Sequence, residues 1–405
     1  MSAATPTGDS RVESDPVERA REYIAKHVAP RELELDGQHD PADCFSWDLI
    51  EAADAYGLRA LCVDPRYGGG GVDFLTFIRT AVELAKGDLG VAAMLVQVNR
   101  VAAMYESVGT PAQRERYLRD ICSDSRCLLA FASTEEHLGS DSGMPITSGP
   151  NMTQYKTRAV RVSDGWEITG RKIYIDNGST AKYYLVMAQT DFSAPISSGS
   201  TCFIVERGRP GLRSGSVFNK SGERLAQHAE VILEGCVVPD ENIFGPLNGA
   251  SAQLALFSAS RSMATAATAV GVAEAAYDCA VEWGRSRVQG GRRLIDHGAI
   301  RVDLARQRMT IDAATAYVEA AATAEMSGAS YSKTFGIFPK IVAGEAAWGA
   351  AQLAVSLHGA RGYTRGWRAE KLLRDAASFD HAGTPNRTAL LKAARVMYGE
   401  QTLPS

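Results

Sequence analysis

Residues 170–188 read GRKIYIDNGSTAKYYLVMA, and together with the stretches on either side they set the fold class. Between about residues 128 and 245 the chain is a series of short runs rich in Val, Ile, Tyr and Thr. These are KTRAVRVSD (156–164), GWEITGRKIYI (165–175), YYLVMAQT (183–190), STCFIVER (200–207) and AEVILEG (229–235). Gly, Ser, Asp and Pro separate them at the spacing of antiparallel strands, which predicts a small β-barrel or sandwich in the middle third.

Outward from this block the period changes. Residues 1–14 are polar and are expected to form a disordered tail. Asp15 then stands as a helix cap, Pro16 fits the first turn, and Glu18 lies three residues beyond the cap. Val17, Ala20, Ile24 and Val28 follow at helical spacing. Further helical runs are predicted near 46–57 (ending at Gly57), 73–87, 91–107 and 111–120. After Pro246 the chain is alanine-rich, with apolar spacing sustained over roughly 250–286, 297–327 and 335–358. Helices this long need partners for their faces, which predicts a bundle and a subunit interface. The expected architecture is α+β: a helical domain over 15–127, an antiparallel β-barrel or sandwich over 128–245, and a four-helix bundle over 246–405. No internal repeat is found.

Composition narrows the function classes. At 405 residues, with 45% hydrophobic and 22% charged side chains, the chain can bury a sizeable core. A formal net charge of −4 provides no overall positive field for nucleic acid or anionic lipid. The seven cysteines (44, 62, 122, 127, 202, 236 and 279) form no C-x-x-C pair, so reduced thiols are expected, with no disulfide framework and no metal site. The first residues, MSAATPTGDSRVESD, lack the apolar run of a signal peptide, and no window forms an 18-residue apolar span. A soluble, cytoplasmic protein is the expectation.

Five collinear segments then carry a resemblance. They are GLRALCVDPRYGGGGVDFLTFIRTAVELAKGD (57–88), FASTEEHLGSDS (131–142), the 170–188 stretch, VVPDENIFG (237–245) and ARGYTRGWRAEKLLRDA (360–376). Over nearly the whole chain they resemble the acyl-CoA dehydrogenase superfamily, which implies its three-domain fold and a bound FAD. In that family the segment beginning at Phe131 borders the flavin. Ser133, Thr134, Gly139 and Ser140 suit this role, because small residues and hydroxyls let the backbone approach a flat ring and donate to its carbonyl edge. The resemblance places Tyr174 where an aromatic ring packs on the isoalloxazine, and Asp176 where a threonine usually lies near its reactive edge. An aspartate there disfavours an anionic reduced flavin. RVQGGRRL (287–294) resembles a segment that reaches the diphosphate from a neighbouring subunit. Arg287 and Gln289 are its candidate contacts, Gly290 stands where an aromatic is usual, and Arg292 and Arg293 add charge. AGTPN (382–386) resembles the loop that supplies Thr384 and Asn386. The resemblance therefore implies at least a dimer, and a homotetramer in the family pattern.

What departs from the pattern is the base. The family's carboxylate precedes the Gly-Thr of the C-terminal loop, where this chain has Ala382. Counting from Arg374–Asp375 puts Gly383 there instead. Members that keep the glutamate before a helical arginine would place it at Ser260, before Arg261. Neither position carries a carboxylate. Asp380 and His381 are the nearest substitutes, and a histidine is a base near neutral pH. Glu135 and Glu136 flank the flavin segment, and His358 reads as structural. Arg100 interrupts a face that lines the acyl pocket in the family, so Arg100 and Arg261 are candidate substrate contacts. The resemblance implies an FAD-dependent oxidoreductase acting on an acyl thioester, held on coenzyme A or a carrier protein, with an electron-transfer flavoprotein as one acceptor. A flavin monooxygenase fed by a reductase stays open, as do a base-independent lyase expelling a sulfinate and a non-catalytic flavin or acyl binder.

Overall fold

The computed structural model describes residues 14–143, 149, 151–254, 257–327 and 337–398. Apart from Ser14, the tail expected over residues 1–14 lies outside the described residues. The first helix, Pro16–Tyr23, begins as its sequence dictates: the Asp15 carboxylate accepts the Val17 N–H at 3.1 Å and proline occupies the first turn. Trp47–Ala55, Phe74–Gly87 and Leu89–Val108 follow, the last two joined at Asp88, whose side chain caps Val91.

The middle of the chain forms one sheet of eight strands. These are β1 (Leu129–Ala132), β2 (Arg158–Val162), β3 (Gly165–Asp176), β4 (Tyr183–Gln189), β5 (Ser200–Glu206), β6 (Leu212–Val217), β7 (His228–Val238) and β8 (Ile243–Phe244). The order is β6-β7-β3-β2-β4-β5-β8, with β1 also on β4. Most neighbours are antiparallel, as expected, but β1 runs parallel to β4 over Tyr183–Val186, and β2 touches β4 in parallel at Gln189. A strand entering from the helical domain has no hairpin to reverse it, so it can join in parallel. β4 is buried along its whole length. Ala130, Val186, Phe203, Val231 and their neighbours fill one core between the strands. Leu129, Leu185 and Ile204 face the other way, into the core they share with the helices.

Behind the sheet come Ser258–Ser286, Gly298–Met326, Phe338–His358, Arg368–Ala377 and Asn386–Tyr398. Alanines make the contact of Ser258–Ser286 with Phe74–Gly87 and Phe338–His358 close: a Cβ on Gly271 would collide with the Val82 carbonyl. The Arg-Asp pair of the last sequence motif clasps the domains together. Arg374 holds Asp36 and Glu370, while Asp375 binds the Lys371 ammonium at 2.7 Å and accepts the Glu223 N–H at 2.7 Å. Lys371 reaches Asp88 at 2.7 Å as well, all three side chains being at most 1% exposed.

Candidate active site

The site lies where β1, the end of β3 and the start of β7 meet the Leu89–Val108 and Ser258–Ser286 helices. Its shape depends on an irregularity in β3. The pairing of β3 with β7 slips between Lys172 and Ile175, and Tyr174 takes φ +54°. Such a bulge turns a side chain out of the strand's alternation, at a conformational cost that a functional position commonly carries. The Tyr174 ring is consequently 56% exposed, supported by Phe218 with centroids 4.2 Å apart. Beside it the Thr134 carbonyl accepts the Ile173 N–H at 3.0 Å, which fixes the half-buried Ser133 and Thr134 next to the ring.

Beyond the slip, β3 and β7 come back into register with Asp176 opposite His228, whose Nε2 lies 2.8 Å from a carboxylate oxygen of Asp176, an ion pair when the imidazole is protonated. Asp176 keeps 46% of its side chain open, yet protein encloses it closely enough for burial to oppose its charge; it lines a cavity rather than the outer surface. Against that burial, the charge and hydrogen bond of His228, then Arg100 and Lys220, hold its carboxyl down at about 2. Lys220 and His228 also flank Glu223, at 3.7 and 3.9 Å.

Arg100 and Arg261 are both half-buried, with no ion-pair partner among the described residues. Burial, and then the charge of Arg261, pull Arg100 down to about 10, while Asp176 opposes this. Arg261 is lowered by burial, again with Asp176 as the opposing carboxylate. The structure thus brings together three residues singled out separately in the sequence: Arg100, Asp176 and Arg261. The 381–386 turn closes on the same place, since a Cβ on Gly383 would sit 3.9 Å from Arg261 Nε. Ser260 beside Arg261 and Ala382 beside Gly383, the two positions that the resemblance marks for the base, therefore converge on one arginine.

The other candidates divide. Asp380 and His381 are exposed, and Asp380 accepts a hydrogen bond from Asn386 Nδ2 at 3.3 Å. The turn is held by a residue that sequence reasoning missed. Lys340, 3% exposed, donates to the Thr384 carbonyl at 2.8 Å and to Asn386 Oδ1 at 2.9 Å, with burial bringing its ammonium down to about 8. Phe131 is half-buried at the end of β1 against the helical core, and Gly139 and Ser140 follow in the next turn, half-buried. Glu135 is occupied: it accepts the Lys156 and Thr157 N–H groups at 2.7 and 3.0 Å and the buried Lys172 ammonium at 2.8 Å. Glu136 is exposed. His358 stacks on Trp283 at 4.5 Å and hydrogen-bonds the Ala354 carbonyl at 2.7 Å, a packing role. Arg287 and Gln289 lie in the exposed hairpin Val288–Gln289/Arg292–Arg293, and no hydrogen bond or ion pair among the described residues ties it to the cavity. The cross-strand partner His228 left no signal in the sequence, because only the slipped register sets it opposite Asp176.

An exposed aromatic ring beside a lip of small hydroxyl residues, with cationic groups facing the opening, fits a flat anionic cofactor. Across its length the chain matches the acyl-CoA dehydrogenase N-terminal domain over residues 13–125, the middle domain over 130–236 and the C-terminal domain over 248–397. It is 32% identical to a short-chain-specific acyl-CoA dehydrogenase of Megasphaera elsdenii, over 90% of this chain and 92% of that one. It is 30% identical to a cyclohex-1-ene-1-carbonyl-CoA dehydrogenase of Geobacter metallireducens, over 94% and 97%. Among solved structures, butyryl-CoA dehydrogenase from Megasphaera elsdenii superposes with a TM-score of 0.87 at 30% identity, covering 98% of this chain and all of the other. With fold, cavity and sequence in agreement along the whole chain, it belongs to the acyl-CoA dehydrogenase family of FAD-dependent oxidoreductases.

Proposed function

We propose that this oxidoreductase dehydrogenates an acyl thioester whose acyl end carries an acidic group, with Arg100 and Arg261 as the seat of that group. The observation that carries the reading is the pair of half-buried guanidiniums with no ion-pair partner among the described residues and only the field of Asp176 opposing their desolvation. A desolvated cation without a partner is costly, and an anionic ligand relieves that cost.

FAD supplies the hydride acceptor when bound. Tyr174 would pack on its ring, and Ser133, Thr134, Gly139 and Ser140 would line its polar edge with Phe131 behind them. Asp176 would stand near its reactive edge. Thr384 and Asn386, held by Lys340, would meet it from the C-terminal turn. Arg287 and Gln289 sit on an exposed hairpin suited to a neighbouring copy's diphosphate, so the active form is at least a dimer and a tetramer in the family pattern. An electron-transfer flavoprotein then takes the electrons.

The test is anaerobic bleaching of the bound flavin by matched CoA and carrier-protein thioesters, with neutral or carboxylate-terminated acyl chains. The acidic series should reduce the flavin at lower concentration. Arg100→Gln should raise that concentration about tenfold or more, taking a hydrogen bond to a charged group as about 1.5–3 kcal/mol. Equal response to both series would remove the arginines from substrate selection.

A further inference from the structure

We propose that Lys172, seated behind the Ser133–Thr134 peptide as half of a buried pair with Glu135, is a positioning residue that raises the reduction potential of the bound flavin; this rests on the placement of the flavin's polar edge on Ser133 and Thr134 given above. The Lys172 ammonium donates to the Ser133 carbonyl at 3.2 Å and to Glu135 Oε1 at 2.8 Å, and it stands 4.0 Å from the centre of the Tyr155 ring. Tyr155 Oη in turn meets Ser133 Oγ at 2.7 Å. The Lys172 and Glu135 side chains are 0% and 3% exposed, so water does little to screen either charge. Glu135 spends its remaining contacts on the Lys156 and Thr157 N–H groups, at 2.7 and 3.0 Å, with His137 Nδ1 at 3.6 Å. Of the two charges, it is therefore the positive one that touches the Ser133–Thr134 peptide.

A cation on a peptide carbonyl polarises the whole peptide and makes its N–H a stronger donor. Here that N–H belongs to Thr134, and it has no acceptor among the described residues. The Thr134 carbonyl accepts the Ile173 N–H at 3.0 Å, which fixes the peptide against β3 next to Lys172 itself. The half-buried lip thus presents a sharpened donor backed by a desolvated charge. Reduction adds negative charge to a flavin's carbonyl edge, so both effects favour the reduced state. Asp176, at the end of the same strand, acts in the opposite sense, and Lys172 offsets it. Burial lowers the Lys172 ammonium to about 8 against the pull of Glu135, so the pair is charged in mildly acidic solution.

The experiment is spectroelectrochemical titration at pH 6 of substrate-free, FAD-loaded wild type, Lys172→Met, Glu135→Gln and the double variant. Lys172→Met should weaken binding of reduced relative to oxidised flavin about tenfold, a fall of about 30 mV for a two-electron couple. Glu135→Gln keeps the lysine and should move the potential upward. The double variant should fall between wild type and Lys172→Met. A pair that only pins the lip would move both single variants in the same direction, or neither. A Lys172→Met ratio within threefold of wild type overturns the proposal, as does a Glu135→Gln potential at or below wild type, and the second comparison decides alone if Lys172→Met does not fold. Thr134→Val checks the placement underneath by fluorescence titration with oxidised FAD, whose affinity should fall. Unchanged affinity there takes the flavin off the lip and the proposal with it; a fall in affinity joined to an unmoved potential in Lys172→Met sinks the tuning role alone.

Discussion

Lys371→Met isolates the clasp that joins the three domains. The ammonium lies 2.7 Å from a carboxylate oxygen of each of Asp88 and Asp375, and the three side chains are 1%, 1% and 0% exposed. Burial alone opposes the charge on Lys371, but Asp375, Asp88 and then Glu32 hold it well above the ordinary lysine range. Methionine matches the stem but leaves two buried carboxylates without an ion-pair partner among the described residues. Asp88 still caps Val91 and Asp375 still accepts the Glu223 N–H, so each keeps one hydrogen bond. Breaking a buried ion pair from one side costs about 3–5 kcal/mol, and protonation of one carboxylate sets the ceiling. Urea unfolding followed by tryptophan fluorescence should show a loss of that size at neutral pH. The loss should shrink as the pH falls, because the carboxylates stranded in the folded variant take up protons more readily than they do unfolded. Converting Asp88 and Asp375 to Asn as well should return part of the stability. A single-variant loss below about 1 kcal/mol, or one independent of pH, would refute the reasoning that this triad is paid for by its pairing. The clasp also bears on the site, since Asp375 anchors Glu223 beside His228.

Three further outcomes follow from the same geometry. Gly222→Ala should lower the melting temperature, because its Cβ would collide with the Arg374 carbonyl; a cost of about 1–3 kcal/mol is expected for such overpacking, and an unchanged melt would show that the β7 loop can shift. Lys340→Met removes both donors to the Thr384–Asn386 turn, and flavin affinity by fluorescence titration should fall about tenfold or more, at about 1.5–3 kcal/mol per charged hydrogen bond. Unchanged affinity would detach that turn from the cofactor. The Asp176 carboxyl is lowered from 3.8 to about 2 in the folded chain, so its contribution to stability is complete above the upper value and is lost as pH falls through the lower one. Acid unfolding of wild type and Asp176→Asn, followed by circular dichroism, should converge across that window, whereas a constant gap would show that the ion pair adds nothing.

Much of the fold was legible because it rests on local periodicity. Asp15 and Pro16 start a helix wherever they precede such an apolar pattern, and they do so here. The five strand runs of the middle third appear as β2, β3, β4, β5 and β7, since branched and aromatic residues bounded by turn formers favour that state, whereas β6, LRSGSV, carries no such run. The parallel entry of β1 was not legible, as nothing in LAFA states which edge it meets. The site was legible in part. Arg100, Asp176 and Arg261 each stood out as departures or as marked positions, but their meeting in one cavity did not. Asp380 stood out as a substitute base and Glu135 only as a neighbour of the flavin segment, and the partners of both came into view with the structure.

By itself, then, the amino-acid sequence determined the order of the domains, the cofactor class through its collinear motifs, and the presence of Ser260 and Ala382, neither a carboxylate, at the positions the resemblance marks for the base. These are properties of residue identity and local spacing. Only the tertiary structure decided which charges face one another: that a slipped register sets His228 against Asp176, that two arginines 161 positions apart come close enough to act on each other, and that a lysine on another helix holds the Thr384–Asn386 turn. Coulomb and hydrogen-bond energies depend on separation in space and on what excludes water, and neither can be read along a chain.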